Sequence, residues 1–181
     1  DDIETLNKAI DYCEESLKVY TLEEEPLYHA YTLSYLSTYL SYLARLGEKP
    51  IENANRVIDI SSTATKIFTH EKYPEYYANL KKDMGDAYEI LSNFENKEEN
   101  ILRSIEEYTE CLKYYSFEVL PEKYAKINYK IGNLYLLLSD IKNTEDNKKL
   151  AINHYNESLK YYKDTDKIYN EIMDKKKLAE K

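Results

Sequence analysis

Two ten-residue stretches, "MGDAYEILSN" (84–93) and "IGNLYLLLSD" (131–140), stand 47 residues apart and share a glycine, a tyrosine three on and a late serine. A glycine–aromatic motif recurring at a fixed distance is either half of a ligand site or a packing rule that each unit of an array obeys. The surrounding sequence favours the packing rule. Three longer segments align around it: "PLYHAYTLSYLSTYLSYL" from Pro26, "PEYYANLKKDMGDAYEIL" from Pro74 and "PEKYAKINYKIGNLYLLL" from Pro121. The downstream halves align too: "AIDYCEESLKVY" (9–20), "VIDISSTATKIF" (57–68), "SIEEYTECLKYY" (104–115) and "AINHYNESLKYY" (151–162). Ile10, Ile58, Ile105 and Ile152 share one column, Lys18, Lys66, Lys113 and Lys160 a second, and Tyr20, Phe68, Tyr115 and Tyr162 a third.

Each half reads as a helix. Ile127, Ile131, Leu134 and Leu138 step by four, three and four, which is one helical face, and Ile152, Tyr155 and Leu159 step alike. Polar connectors lie between the halves: "GEKPIEN" (47–53), "NFENKEEN" (93–100) and "DIKNTEDN" (140–147). Each ends in an asparagine, and Asn53, Asn100 and Asn147 are expected to cap the second helix of each unit by accepting from its first amides. Pro26, Pro74 and Pro121 suit the first position of a helix, where a missing amide proton costs little.

Composition agrees. The 181 residues include only 3 Gly and 4 Pro, so few turns interrupt the helices. There are 21 Tyr and no Trp, an aromatic load suited to core edges and interfaces. The net charge of −9 argues against a nucleic-acid partner, and no apolar run approaches the length of a membrane span. The cluster Lys175, Lys176, Lys177 reads as a solvated helix end. Two cysteines, Cys13 and Cys111, form no disulfide framework, and the expected location is cytoplasmic.

These columns resemble the tetratricopeptide repeat family. Gly85 is followed by Tyr88 and Gly132 by Tyr135, and small residues stand seven apart at Ala151 and Ser158, Ser104 and Cys111, Val57 and Ala64, and Ala9 and Ser16. Tyr108 and Tyr155 fill the aromatic position between them. The unit is about 47 residues against the family's usual 34. The first full unit departs most: Ser37 replaces the glycine, Leu40 the tyrosine and Ser61 the later aromatic. The resemblance implies an all-α fold, a right-handed α-solenoid of antiparallel helix pairs. It would form one array over 1–181: a partial unit 1–25, repeats 26–73, 74–120 and 121–164, and a partial unit 165–181. Starting and stopping out of phase, the chain is expected to be a piece of a longer array.

Chemistry is not signalled. His29, His70 and His154 occupy unrelated repeat positions and form no metal-binding pair; His154 reads as a surface helix residue. Cys111 sits in the small-residue column, so packing explains it. No phosphate loop or nucleophile motif occurs. The expectation is a protein without enzymatic activity, cofactor or metal.

Surface remains. In the family, first helices line a concave groove for peptides or partner helices. Carried over by column, the groove positions are Tyr31, Ser34, Thr38 and Ser41 in the first unit, Asn79, Lys82, Asp86 and Glu89 in the second, and Lys126, Tyr129, Asn133 and Leu136 in the third. Some relatives clamp a C-terminal carboxylate with Lys and Asn at such positions. Lys82, Lys126, Asn79 and Asn133 have the right types, but Asp86 and Glu89 would repel one. The function implied is a protein–protein interaction scaffold with a protein or peptide partner. Two alternatives stand beside it. One is self-association to a homo-oligomer through Tyr114 and Tyr161; the other is a regulatory arm of a larger enzyme or sensor.

Overall fold

The structure, a computed structural model, describes residues 2–180; positions 1 and 181, the outer ends of the two partial units, lie outside the described residues. Among the described residues there are eight helices and no strand: α1 (Asp2–Val19), α2 (Pro26–Arg45), α3 (Pro50–Ala64), α4 (Pro74–Leu91), α5 (Lys97–Cys111), α6 (Pro121–Ser139), α7 (Thr144–Leu159) and α8 (Lys167–Ala179). The chain is all-α, and each repeat read from the sequence carries two helices. It divides into two compact units, Asp1–Cys111 and Leu112–Lys181.

The starts of the first helices follow from proline. Pro26, Pro74 and Pro121 each open their helix, as expected, and so does Pro50 of α3. The residues before the first three, Glu25, Tyr73 and Leu120, hold φ between −134 and −139 and ψ between 60 and 66, off the helical region that proline forbids its predecessor.

The three connector asparagines do not cap. α3, α5 and α7 begin three residues before them, so Asn53, Asn100 and Asn147 lie inside the first turn and are buried. Their side chains donate rather than accept: Asn53 Nδ2 to the Glu48 carbonyl at 2.7 Å, Asn100 Nδ2 to Glu95 at 2.8 Å and Asn147 Nδ2 to Lys142 at 2.7 Å. Between donor and carbonyl the chain turns through one left-handed residue, Lys49, Asn96 or Asn143, with φ of 41, 43 and 47. Each asparagine therefore ties the end of one helix to the start of the next.

In the first unit, Leu36, Leu40, Leu43, Val57, Leu91 and Ile10 form one apolar core, in which α1, α3 and α4 all pack on α2. A second cluster joins Ala30, Leu33, Ala64, Phe68 and Leu80. In the second unit, Ala151, Tyr155, Ile172 and Ala179 bring α7 and α8 together. Burying one large apolar side chain fully is worth about 1.5–3 kcal/mol, so these clusters outweigh the chain's modest helix propensity.

Paired helices run antiparallel, as their contacts show. Along α5, Ser104 donates to the Gly85 carbonyl at 2.8 Å, Glu107 meets Lys81 at 2.7 Å and Glu110 meets the Tyr77 hydroxyl at 3.2 Å, so partner numbers fall as α5 numbers rise. Along α7, Tyr155 meets Asn133 at 2.9 Å and Ser158 meets the Ala125 carbonyl at 2.8 Å. Gly85 and Gly132 mark these close approaches. The buried rings of Tyr108 and Tyr155 lie against them, where a Cβ would fall 2.6 Å from each ring. The first repeat solves the same contact differently: with serine at both places, Ser37 Oγ and Ser61 Oγ hydrogen-bond at 2.7 Å. The three substitutions that made this repeat look divergent include a matched exchange of glycine and ring for two hydroxyls.

Candidate functional site

Two features of the first unit compete for the role: a buried polar network and an exposed tyrosine row. The network begins where Ser37 and Ser61 replace the ring. Asp83, on the facing side of α4, is buried and receives the Thr38 hydroxyl at 2.9 Å and the Ser37 hydroxyl at 3.4 Å on Oδ2. Its Oδ1 lies 2.6 Å from Lys82 Nζ, an ion pair without an aligned hydrogen bond. Lys82 also holds Asp86 Oδ2 at 2.9 Å, and the Tyr108 hydroxyl is shared between Asp86 Oδ1 at 2.6 Å and Glu89 Oε2 at 2.7 Å.

Burial opposes the Lys82 charge, but Asp83 and Asp86 outweigh it and raise its pKa. Asp83 goes the other way for a carboxylate: burial pushes its pKa up despite Lys82 and Thr38. The Tyr108 hydroxyl, enclosed beside two carboxylates, is held firmly protonated. Among the described residues no group of three His, Cys, Asp or Glu side chains is placed to hold a metal ion.

The residues carried over as groove positions are spread over this network, apolar packing, a second network around Tyr155 and an exposed pair on one helix. Tyr31 is half-buried, its ring 5.0 Å from those of Phe68 and Tyr76; Ser34 is buried; Thr38 belongs to Asp83. Asn79 is half-buried on α4, Lys82 is spent on two carboxylates, and Asp86 is buried. In the second unit Lys126 pairs with Glu122 of its own helix. Tyr129 donates to Glu171 of α8 at 2.5 Å, and burial and that carboxylate push its pKa up to about 12; Asn133 accepts from Tyr155. The structure brings Thr38, Lys82 and Asp86 into one network, and Tyr129 and Asn133 into another around Tyr155. Both lysines offered for a carboxylate clamp already carry intramolecular carboxylates.

His154 is not a surface residue. It is half-buried, its Nδ1 lies 2.8 Å from Asn128 Oδ1, and its ring stacks on Tyr135 at 5.6 Å. Burial lowers its pKa, with Glu157 acting against the shift. Tyr114 is half-buried against Tyr115, and Tyr161, although exposed, rests edge-on against Tyr162.

The open surface lies elsewhere. α2 buries Leu33, Leu36, Leu40 and Leu43 against α1, α3 and α4, which leaves one face outward. That face carries Tyr28, Tyr35 and Tyr42, 55%, 52% and 51% exposed. Seven-residue steps keep the three on one side of the helix, about 10.5 Å apart. Tyr20 extends the row by stacking on Tyr28 at 5.3 Å, and Arg45 lies over the Tyr42 ring at 5.8 Å. From Pro26 to Arg45 the helix holds no acidic residue, in a chain of net charge −9. The heptad 28, 35, 42 was visible in the sequence, yet the columns of the resemblance direct attention to neighbouring positions 31, 34 and 38. Among the described residues no helix is long and apolar enough to cross a membrane.

Comparison with protein-family models, with curated proteins and with solved structures returns no match to this chain.

Proposed function

We propose that this chain is a protein-binding scaffold of the tetratricopeptide type, a right-handed solenoid that docks a partner helix or peptide on the outward face of a first helix. The observation that carries this reading is the tyrosine row Tyr28, Tyr35 and Tyr42, aromatic, more than half exposed and mounted on a helix whose opposite side is packed. Tyrosine supplies large contact area with little rotamer freedom to lose, and it is enriched where interfaces concentrate their energy. A rigid helix presenting it binds with little ordering cost. The reading assigns no catalysis, cofactor or metal to the chain, and a cytoplasmic place in the cell.

A display library of amphipathic helices and extended peptides, selected on the full chain, tests it. Ligands should survive selection, lose at least tenfold in affinity to a Tyr28→Ala, Tyr35→Ala, Tyr42→Ala variant, and tolerate Lys82→Ala and Asn133→Ala, whose side chains are engaged internally. Ligands indifferent to the tyrosines but lost with Lys82→Ala would return the site to the groove columns.

A further inference from the structure

We infer that the α2 face pairs with the α2 face of a second copy of this chain, antiparallel about a two-fold axis at Tyr35; this rests on the reading of that face as an interface. The face is complementary to itself when reversed. Tyr28 and Tyr42 stand seven residues either side of Tyr35, so in an antiparallel pair Tyr28 of each copy meets Tyr42 of the other, and Tyr35 meets Tyr35. The residues that bound the helix, Glu25 and Arg45, are opposite in charge. The exposed run Glu23, Glu24, Glu25 precedes the helix and Arg45 closes it, and none of the four takes part in an ion pair among the described residues. Glu25 and Arg45 are each ten residues from Tyr35, about 15 Å along the axis, so reversal brings each to the other's level. An exposed leucine also stands at either end, Leu22 and Leu46.

A parallel pair would set glutamate against glutamate and arginine against arginine. An unrelated partner needs no such symmetry. The net charge of −9 opposes self-association in general, yet α2 contributes no acid between its ends, so the helix itself adds no carboxylate repulsion where the copies would touch. One helix face is smaller than the roughly 800 Å² per partner of a standard stable interface, so the dimer forms in a concentration-dependent way.

Sedimentation equilibrium of the full chain at rising concentration reads this directly. The mass should climb from 21.5 kDa toward twice that value. Tyr35→Glu, an exposed substitution whose folding circular dichroism checks, should hold it at the monomer. Glu25→Arg alone and Arg45→Glu alone should each weaken association about fivefold, since each places like charges at both ends. An equimolar mixture of these two variants should associate as tightly as wild type, because the mixed dimer regains opposite charges at both ends. A wild-type chain that stays at 21.5 kDa, a Tyr35→Glu chain that dimerises normally, or a mixture no tighter than its components overturns the inference. A monomer that still captures selected ligands through Tyr35 removes only the second copy; a monomer that captures none removes the binding reading as well.

Discussion

The ring of Tyr108 occupies the space that a side chain at Gly85 would need: a Cβ there would sit 2.6 Å from two ring carbons. Tyr108 is fully buried and its hydroxyl is fixed by Asp86, so the ring has nowhere to move. Gly85→Ala should therefore destabilise, by up to about 2 kcal/mol in urea unfolding, because overpacking of about 1–3 kcal/mol is offset only in part by the helix propensity of about 1 kcal/mol that alanine adds. The first repeat shows how the clash is relieved. Gly85→Ser with Tyr108→Ser reproduces Ser37 and Ser61, and the pair should be less damaging than the sum of the single changes. Additive losses would show that the glycine and the ring are independent.

Lys49 should be the weak link among the connectors. It holds φ 41, as Asn96 and Asn143 hold 43 and 47, but only asparagine adopts that region readily. Its ion pair with Glu52, 3.6 Å long and exposed, offers little in return. Lys49→Asn should raise stability by about 0.5–1 kcal/mol, read as a higher urea midpoint at unchanged slope. A lower midpoint would contradict the backbone account.

The connector asparagines separate donation from capping. Aspartate is as good a helix cap as asparagine but cannot donate. Asn100→Asp should therefore destabilise by about 1–3 kcal/mol, because the Glu95 carbonyl loses its donor and a buried carboxylate takes its place. Retained stability in thermal unfolding would restore the capping role.

His154 should give the second unit a pH dependence. Its folded pKa is lowered by burial, so the unfolded chain binds the proton more readily. The stability it contributes is present above its ordinary value of 6.5 and is lost as pH falls toward the lowered one. Proton NMR should show the His154 ring titrating below 6.5, and His154→Gln should flatten the acid side of the stability profile relative to wild type. A ring titrating above 6.5 would mean that Glu157 dominates over burial.

Much of the fold was legible because packing repeats. The steps of Ile127, Ile131, Leu134 and Leu138, the prolines at helix starts and the Gly–Tyr columns all report local rules that one helix pair must satisfy. The asparagines misled because capping and donation use the same residue at nearly the same place; only the helix start, three residues earlier, distinguishes them. The site was harder to read. Lys82 and Asp86 sit in columns that face outward in the family, but Ser37 and Ser61 leave room that Asp83 enters, and it draws Lys82 inward. Tyr28, Tyr35 and Tyr42 carry no motif; only knowing which sides of α2 are covered makes them the exposed row.

The central claim is that the outward face of α2 is where this chain meets a protein. Its most direct test is the affinity of a library-selected ligand for Tyr35→Ala set against Tyr12→Ala, a tyrosine on α1 that is 74% exposed but stands outside the row. A loss of tenfold or more, about 1.4 kcal/mol, at Tyr35 with no change at Tyr12 is the predicted result. Equal loss at both positions, or none at Tyr35, would contradict it.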